Sequence, residues 1–140
     1  MAPAVRELDC QFALESVQRR ALVVDEDARD LAYHAVLLEA QGFDVTRCRF
    51  YADAVRLIER ELFDLVVVEQ GTAAFEGRIV MKFLQRFMPY TPCVVVTRHV
   101  DNRCHSEALE LGATEYLAKP LSRQNIGHLL NKLFGVHPHA

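Results

Sequence analysis

The sequence predicts an α/β fold in which five parallel strands alternate with five helices in one domain. Short, continuous apolar runs recur along the chain, and segments with apolar residues at helical spacing lie between them. Such Val- and Leu-rich runs are typical of parallel strands that helices cover on both faces. Because crossover helices lie on both sides of a parallel sheet, we expect a doubly wound (βα)5 architecture.

Five segments have the pattern of strands. Four are continuous apolar runs, and the second along the chain alternates between apolar and polar residues. In chain order these segments are Ala21–Val24, Phe43–Cys48, Leu65–Val68, Cys93–Val96 and Tyr116–Ala118. For five such strands we expect the flavodoxin-like order 2-1-3-4-5, which places function at the carboxyl ends of the strands, near the switch between strands one and three.

Five segments after the strands have apolar residues spaced three and four apart, which is typical of amphipathic helices. These residues are, in order, Leu31, Ala35 and Leu38; Val55, Ile58 and Leu62; Val80, Phe83, Leu84 and Phe87; Cys104, Ala108 and Leu111; and Ile126, Leu129, Leu130 and Leu133. Gly42 and Gly112 predict the ends of the first and fourth helices, and Ser122 predicts the N-cap of the fifth.

Length and composition fit a single globular domain. The chain has 140 residues, of which 51% are hydrophobic and 25% charged, and these values argue against a disordered, collagen-like or coiled-coil protein. The net charge of −3 gives no overall basic character, so direct nucleic-acid binding is not expected. We divide the chain into an N-terminal extension at 1–20, a domain at 21–134 and a C-terminal tail at 135–140.

Two further features concern location and cysteine chemistry. No apolar run reaches the length of about 18 residues that a membrane helix needs. The first part of the chain is charged and lacks the apolar stretch of a signal peptide, so we expect a cytoplasmic protein. The cysteines show no metal-ligand spacing, so we expect free, reduced thiols at Cys10, Cys48, Cys93 and Cys104.

Charged and hydroxyl side chains follow the predicted strands at the edge where their carboxyl ends meet. Asp25 and Glu26 follow the first strand, and Glu69 follows the third. Thr97 ends the fourth strand and Lys119 follows the fifth. Clustered carboxylates suit a Mg²⁺ ion, and a lysine with a hydroxyl suits the oxygens of a phosphoryl group. We therefore expect a site that handles phosphoryl groups at this edge.

These segments together resemble the CheY-like receiver domains of bacterial two-component response regulators. The resemblance covers about residues 21–134 and is specific because it rests on several separated motifs. The motifs are Leu22–Asp27, Asp64–Glu69, Glu76–Gly77, Val94–Thr97 and Gly112–Pro120, the last of which is similar to the family's Gly-Ala…Lys-Pro signature.

The resemblance implies a Mg²⁺ site and a phosphoacceptor. In the family, two acids after the first strand hold the metal, and these positions are Asp25 and Glu26 here. The residue that ends the third strand accepts a phosphoryl group from a histidine kinase and also contacts the metal, and that position is Glu69. The backbone carbonyl of Gly71 is the remaining implied protein ligand.

The resemblance also implies a switch and its partners. Thr97 and Lys119 are expected to bind the phosphoryl group, and Tyr116 is expected to move inward on activation. The bond between Lys119 and Pro120 is expected to be cis. The implied partner is a histidine kinase or an output protein, which contacts the face of the fourth helix, fifth strand and fifth helix. The same face is the expected surface of a homodimer.

The sequence departs from the family at the decisive position, because Glu69 stands where the family has aspartate. The extra methylene advances the carboxylate by at most about 1.5 Å, and a misplacement of about 1 Å can reduce a rate about 10²-fold. Alternatively, the carboxylate contacts Thr97 or Lys119 and partly mimics activation. The following loop, residues 70–75, also lacks the common Met-Pro.

Arg98 is a second departure, because the family usually has a small residue after the strand-four hydroxyl. The arginine side chain has three alternatives. It crowds the pocket against a phosphodonor, it folds inward and pairs with Glu26 or Glu69 in place of the metal, or it points into solvent. Mg²⁺ binding is accordingly expected to be weakened, or replaced by Arg98.

Three functional hypotheses follow. The first is a phosphorylation-independent or constitutively switched interaction module, which is a signalling domain and not an enzyme. The second is a Mg²⁺-dependent receiver in which Glu69 or another acid accepts the phosphoryl group. The third is a haloacid-dehalogenase-like phosphatase with Asp25 as nucleophile and Asp27 as acid/base, although the chain lacks a second acid pair and room for a cap domain. For Asp27 we favour capping of the first helix.

Overall fold

The structure is a computed structural model that describes residues 18–135, and it confirms the predicted parallel sheet. The strand order is β2-β1-β3-β4-β5, which is the predicted order 2-1-3-4-5. The strands are β1 (Arg20–Val24), β2 (Asp44–Cys48), β3 (Leu65–Glu69), β4 (Cys93–Thr97) and β5 (Glu115–Ala118). The helices are α1 (Ala28–Glu39), α2 (Tyr51–Arg60), α3 (Arg78–Phe87), α4 (Asn102–Glu110) and α5 (Arg123–Phe134). Most of the predicted extension and tail lies outside the described residues, as does Cys10.

Alternate residues of the central strands face two hydrophobic layers. In β1, Leu22 and Val24 pack on the side covered by α2, α3 and α4, whereas Ala21 and Val23 pack beneath α1 and α5. β3 and β4 alternate in the same way, and all of these side chains are buried. Because both faces are covered, the strands read as continuous apolar runs. The parallel register then brings their carboxyl ends to one edge.

Helix caps in the structure agree with the sequence predictions. The side chain of Asp27 caps α1 by accepting hydrogen bonds from two backbone amides of its first turn. Ser122 caps α5 by accepting from the amide of Asn125 at 3.0 Å, and the Asn125 side chain accepts in return from the Ser122 amide at 2.9 Å. Gly42 and Gly112 follow α1 and α4 with φ of 93° and 97°, which glycine adopts without strain.

The sequence predictions for three apolar residues are wrong in detail. Leu62 lies beyond the end of α2 and is 78% exposed, because the chain turns to an extended conformation at Glu61. Phe87 is the last residue of α3, and its ring is partly exposed against Phe83, with 6.1 Å between the ring centroids. Phe43 is buried but precedes β2, which begins at Asp44.

Other sequence expectations concern thiols and membrane segments. Cys48, Cys93 and Cys104 are free and buried, as predicted. Within residues 18–135, every helix falls short of the length and apolar character that crossing a membrane would require.

Two adjacent side chains of α1 hold the loop between β5 and α5. His34 is buried and its Nε2 accepts a hydrogen bond from the amide of Leu121 at 3.2 Å. Tyr33 donates its hydroxyl to the carbonyl of the same residue at 2.8 Å. Lys119 and Pro120, joined by the predicted cis peptide bond, lie immediately before this loop. The contacts therefore fix the chain next to the end of β5.

His34 predicts a pH dependence of stability. Burial lowers the pKa of His34, and the nearby Lys119 charge lowers it further. The unfolded chain therefore binds the proton more readily, so the fold loses stability as the pH falls below about 6.5, by at most about 1.4 kcal/mol per pH unit. We expect His34→Gln, which keeps an acceptor for the Leu121 amide, to lose less stability between pH 7 and pH 5 in urea unfolding. The control is His128→Gln, a change at an exposed histidine, which should leave the pH dependence of stability as it is in the natural chain. If His34→Gln also leaves this pH dependence unchanged, His34 is not its cause.

Candidate functional site at the carboxyl edge of the sheet

The strand ends bring a buried lysine against three carboxylates. The side chain of Lys119 is only 1% exposed, although it carries a charge. Its Nζ lies 2.8 Å from Asp25 Oδ2, 2.9 Å from Glu69 Oε1 and 3.1 Å from Asp30 Oδ2. The predicted convergence of Asp25, Glu69 and Lys119 is therefore present, and Asp30 from the first turn of α1 joins it.

The charges of this cluster depend on each other. Burial disfavours the charged form of Lys119, but its bonds to Asp25 and Glu69 outweigh burial and raise the pKa of the lysine. Burial raises the pKa of Asp25 to about 6, against the lowering effect of Lys119. Asp25 Oδ2 lies 2.8 Å from Lys119 Nζ, and the other oxygen of Asp25, Oδ1, accepts the amide of Asp27 at 2.9 Å. The ammonium is thus the counter-ion of the whole cluster.

The second oxygen of Glu69 is also held by the protein. Glu69 Oε2 accepts the amide of Glu26 at 3.1 Å and the hydroxyl of Tyr51 at 3.4 Å. Burial, together with the neighbouring negative charges, raises the pKa of Tyr51, so its hydroxyl keeps the proton that it donates. Both carboxylate oxygens of Glu69 therefore have donors from the protein itself.

Arg98 binds a partner that the sequence did not predict. Its guanidinium pairs with Asp30 Oδ1, and its side chain remains 53% exposed. The expectation that an inward Arg98 pairs with Glu26 or Glu69 is therefore wrong in this structure. The reason is local, because Asp30 lies one turn after the N-cap of α1 and presents its carboxylate beside the end of β4. Arg98 thus acts on Lys119 through the shared Asp30.

Thr97 and Tyr116 have different hydrogen-bond partners. The Thr97 hydroxyl donates to the carbonyl of His99 and accepts from its amide, both at 3.1 Å. Tyr116 is buried, and its hydroxyl donates to Gln70 Oε1 and accepts from the Asp101 amide at 3.1 Å. The tyrosine is therefore inward, and the residue after Glu69 holds it there.

The loop after β3 packs tightly around Gly71. This glycine has φ of 88°, and a Cβ built on it would lie 2.5 Å from Glu76 Oε1 and 3.1 Å from Tyr51 Oη. Glu76 accepts the amide of Thr72 at 2.7 Å and also its hydroxyl at 2.9 Å. The positive φ favours glycine at this position, and a Cβ there would also require the Glu76 side chain to move.

Sequence comparison places this geometry in a family. A sequence model described as "Response regulator receiver domain" matches residues 21–131. The chain belongs to this family. The receiver domain is 29% identical over 119 residues to the transcriptional regulatory protein ZraR of Escherichia coli (strain K12), a match that covers 85% of this chain and 27% of ZraR. The chain thus spans about a quarter of the length of such curated relatives.

Solved structures show the same fold. A CheY-like receiver domain protein of Methanospirillum hungatei JF-1 superposes with a TM-score of 0.76 at 22% identity, covering 83% of this chain and 93% of that chain. The receiver domain of sensor histidine kinase PA1611 of Pseudomonas aeruginosa PAO1 gives 0.74 at 20% identity, covering 86% and 100%. That structure has a magnesium ion coordinated in its active-site cleft. Receiver domains are modules of two-component signalling, and the chain is one of them.

Receiver domains typically bind Mg²⁺, for which carboxylate oxygens are suitable ligands. Asp25 and Glu69 both direct an oxygen at Lys119 Nζ, and the other Glu69 oxygen accepts protein donors. Within residues 18–135, no group of three histidine, cysteine or acidic side chains is arranged to hold a metal ion. In this arrangement the Asp25 and Glu69 oxygens that face Lys119 have its ammonium as their cation.

Three residues of the receiver domain site were missed in the sequence. Asp30 could have been found, because the first turn of α1 starts at the same edge as the strand ends. Gln70 follows Glu69 directly, but nothing in the sequence shows that its side chain turns under Tyr116. Tyr51 begins α2 after the edge strand, and only the fold brings it to Glu69.

Asp27 bears on the phosphatase hypothesis. Its carboxylate accepts the amides of Arg29 at 2.9 Å and Asp30 at 3.1 Å. The favoured capping role is therefore confirmed, and these bonds lower the pKa of Asp27. A carboxylate held ionised in a cap is a poor general acid. The observed role of Asp27 therefore differs from the acid/base role that the phosphatase hypothesis requires.

The contact between Gln70 and Tyr116 predicts a measurable coupling. Gln70→Leu leaves the buried Tyr116 hydroxyl without its acceptor, which should cost about 1–3 kcal/mol of unfolding free energy. Combining Gln70→Leu with Tyr116→Phe should cost less than the sum of the two single changes, because both partners are then apolar. Urea unfolding of the four proteins measures this cycle. Strictly additive losses would show that the two side chains are not coupled.

Proposed function

We propose that this receiver domain signals through protein contacts without phosphorylation of Glu69, and that it is switched constitutively. The observation that carries the proposal is the contact of 2.9 Å between Lys119 Nζ and Glu69 Oε1. In the family resemblance, this lysine binds the incoming phosphoryl group. Here the longer side chain of Glu69 brings a carboxylate to this lysine. The lysine therefore has an anionic partner without a phosphoryl group.

The inward position of Tyr116 supports the constitutive part of the proposal. The resemblance assigns inward movement of this aromatic residue to activation. In this chain, the buried Gln70 side chain and the Asp101 amide hold the hydroxyl inward. The ring of His105 also stacks on Tyr116, with 4.6 Å between centroids and 9° between planes. These contacts use no phosphoryl group.

Lys119 supports the proposed weakening of Mg²⁺ binding. Its ammonium supplies the positive charge that the carboxylates would otherwise take from a metal. Arg98 contributes indirectly, since it orients Asp30 toward the same lysine. We therefore propose that Lys119, assisted by Arg98, takes over the charge compensation of the metal. Asp25, Glu26, Glu69 and the Gly71 carbonyl are the residues that would bind Mg²⁺ if Lys119 withdrew.

The proposed contact surface is the face formed by α4, β5 and α5. A cavity of about 330 Å³ lies at β5 and α5, and its lining includes Leu117, Gln124 and His128. Exposed Leu109 adds an apolar side chain on α4. The partner we propose is a histidine kinase or an output protein, and a second copy of the chain is the partner for a homodimer. The cytoplasmic location and the lack of direct nucleic-acid binding stay predictions.

The second candidate is a Mg²⁺-dependent receiver that accepts a phosphoryl group on Glu69. The partial exposure of the Glu69 side chain, 18%, favours it, because a phosphodonor needs access to this carboxylate. The oxygen of Glu69 that attacks phosphorus must then turn from its protein donor, which is Lys119 for Oε1 and the Glu26 amide for Oε2. This requirement makes the second candidate the weaker one.

Beryllofluoride, a non-covalent mimic of a phosphoryl group, tests the proposal. We expect the amide NMR signals of Thr97 and Lys119 to stay unchanged when beryllofluoride and Mg²⁺ are added to the natural chain. Glu69→Asp is the matched control, and its two signals should shift. Before any addition, the natural chain should show a nuclear Overhauser contact between the Tyr116 ring and the Gln70 side chain. Saturable shifts in the natural chain would contradict the proposal.

A further inference from the structure

An arginine-lined cleft lies beside the site, between the end of β2 and α2. Its volume is about 520 Å³, and it is open to solvent on one side. The residues of this β2–α2 cleft that bear on its chemistry are Arg47, Arg49, Phe50, Arg56, Leu57 and Arg60. Arginine thus supplies every cationic side chain of the cleft, in a protein whose net charge is −3.

Internal ion pairs do not neutralise the cleft. The guanidinium of Arg47 pairs with Glu39 at 3.0 Å. Of the two acids that line the cleft, Glu61 is taken by Arg20 at 2.6 Å, and Asp53 lies 3.9 Å from Arg56. Within the described part of the chain, no carboxylate lies within ion-pair distance of Arg60 or Arg49. The cleft therefore has an excess of positive charge, which an anion from solution can neutralise.

The chemistry of the cleft favours phosphate groups. The guanidinium of arginine is a planar fork of donors that matches carboxylate or phosphate oxygens, and it also stacks on flat rings. A phosphate group carries more charge and more acceptor oxygens than a carboxylate, so it satisfies several guanidinium groups in a small volume. Phe50 is 55% exposed at the cleft, and the guanidinium carbon of Arg49 lies 5.6 Å from its ring centroid. A flat organic group on the ligand can therefore stack there.

Arg49 connects the cleft to Glu69. Its Nε and Nη2 both donate to the backbone carbonyl of Glu26, at 3.3 Å and 3.1 Å. The amide of Glu26 in turn donates to Glu69 Oε2 at 3.1 Å. Tyr51 begins α2, next to Phe50 of the cleft, and donates to the same Glu69 oxygen at 3.4 Å. An anion that draws Arg49 into the cleft thus releases the Glu26 carbonyl and disturbs the donors of Glu69.

We propose that the β2–α2 cleft binds a small organic phosphate of nucleotide size, and that Arg49 transmits its binding to Glu69. Because the domain is proposed to be switched constitutively, the ligand would be an input that disturbs this state through the donors of Glu69. The binding itself stands on the cleft alone, whereas its role as an input rests on the proposed function.

A fluorescent nucleotide tests the binding. ATP labelled with an N-methylanthraniloyl group should bind the natural chain saturably, and inorganic pyrophosphate should compete. The double variant Arg56→Glu/Arg60→Glu should bind at least tenfold more weakly, because two exposed cations of the cleft become anions. Arg123→Glu, the same charge change on an exposed residue of α5, should bind as the natural chain does. Added salt should weaken binding, since the pairs are screened.

Three outcomes would overturn the binding proposal. They are an absence of saturable binding, an equal loss in Arg123→Glu, and competition by a hexaglutamate peptide or a single-stranded oligonucleotide but not by pyrophosphate. The last outcome would assign the cleft to a polyanionic macromolecule.

Hydrogen exchange tests the transmission. Saturating nucleotide should speed amide exchange in the segment that contains Glu26, and Arg49→Ala should show fast exchange without ligand. Binding without any change at Glu26 would overturn the transmission and leave the binding standing. Phosphorylation of the natural chain on Glu69 would remove the proposed function and would leave nucleotide binding unaffected, so the two failures are distinguishable.

Discussion

Replacing Lys119 with methionine is expected to lower the free energy of unfolding by about 3–5 kcal/mol at pH 7, because a buried pair that loses one member leaves charge uncompensated. Asp25, Glu69 and Asp30 all share this ammonium. Urea unfolding measures the loss. The loss should be smaller at pH 5, because burial raises the pKa of Asp25 to about 6 and a proton can then replace the lysine charge.

Lys132 provides the matched control for this change. It pairs with Glu115 on the surface, and its side chain is half exposed. Lys132→Met removes the same charge and keeps the same shape, and it should cost less than about 1 kcal/mol. If both methionine variants lose the same stability, Lys119 does not hold the cluster together.

Replacing Glu69 with aspartate is expected to create a phosphoacceptor. The shorter side chain withdraws the carboxylate from Lys119 and restores the residue that the family uses. We expect transfer from a small acyl phosphate to be at least about 10²-fold faster in Glu69→Asp than in the natural chain, which is the effect of a misplacement of about 1 Å. A time course of radiolabel incorporation measures the rate.

Arg98 decides how the result in Glu69→Asp is interpreted. Arg98→Ala frees Asp30 from its guanidinium partner and opens the edge of the pocket. If Glu69→Asp is labelled, the pocket is sound and Glu69 alone uncouples the natural domain from phosphorylation. If only the double variant Glu69→Asp/Arg98→Ala is labelled, Arg98 blocks the phosphodonor. If neither is labelled, the attribution of the block to these two residues is wrong.

Much of the fold could be predicted because strands that are buried on both faces have continuous apolar sequences. The apolar runs of β1, β3 and β4 reflect strands covered by two helix layers, and each begins and ends within one residue of its prediction. The cap at Asp27 could be predicted because it depends only on the next few residues. Leu62 shows the limit, since a helical pattern continues past Arg60 where the backbone has already turned.

The candidate site could be predicted only in part. Strand ends identified Asp25, Glu69 and Lys119, because parallel topology alone brings them to one edge. The pairing of Arg98 with Asp30 depends on the position of α1 above that edge, which spacing along the chain does not determine. The bond between Gln70 and Tyr116 likewise joins residues 46 positions apart through a side-chain rotation in the core.

The intact mass of the natural chain after incubation with a small acyl phosphate and Mg²⁺ tests the central claim most directly. The account predicts an unchanged mass, with and without Mg²⁺, while Glu69→Asp under the same conditions gains one phosphoryl group. A stoichiometric, Mg²⁺-dependent phosphoryl group located on Glu69 of the natural chain would contradict the account, and the domain would then be a phosphorylated receiver with an unusual acceptor.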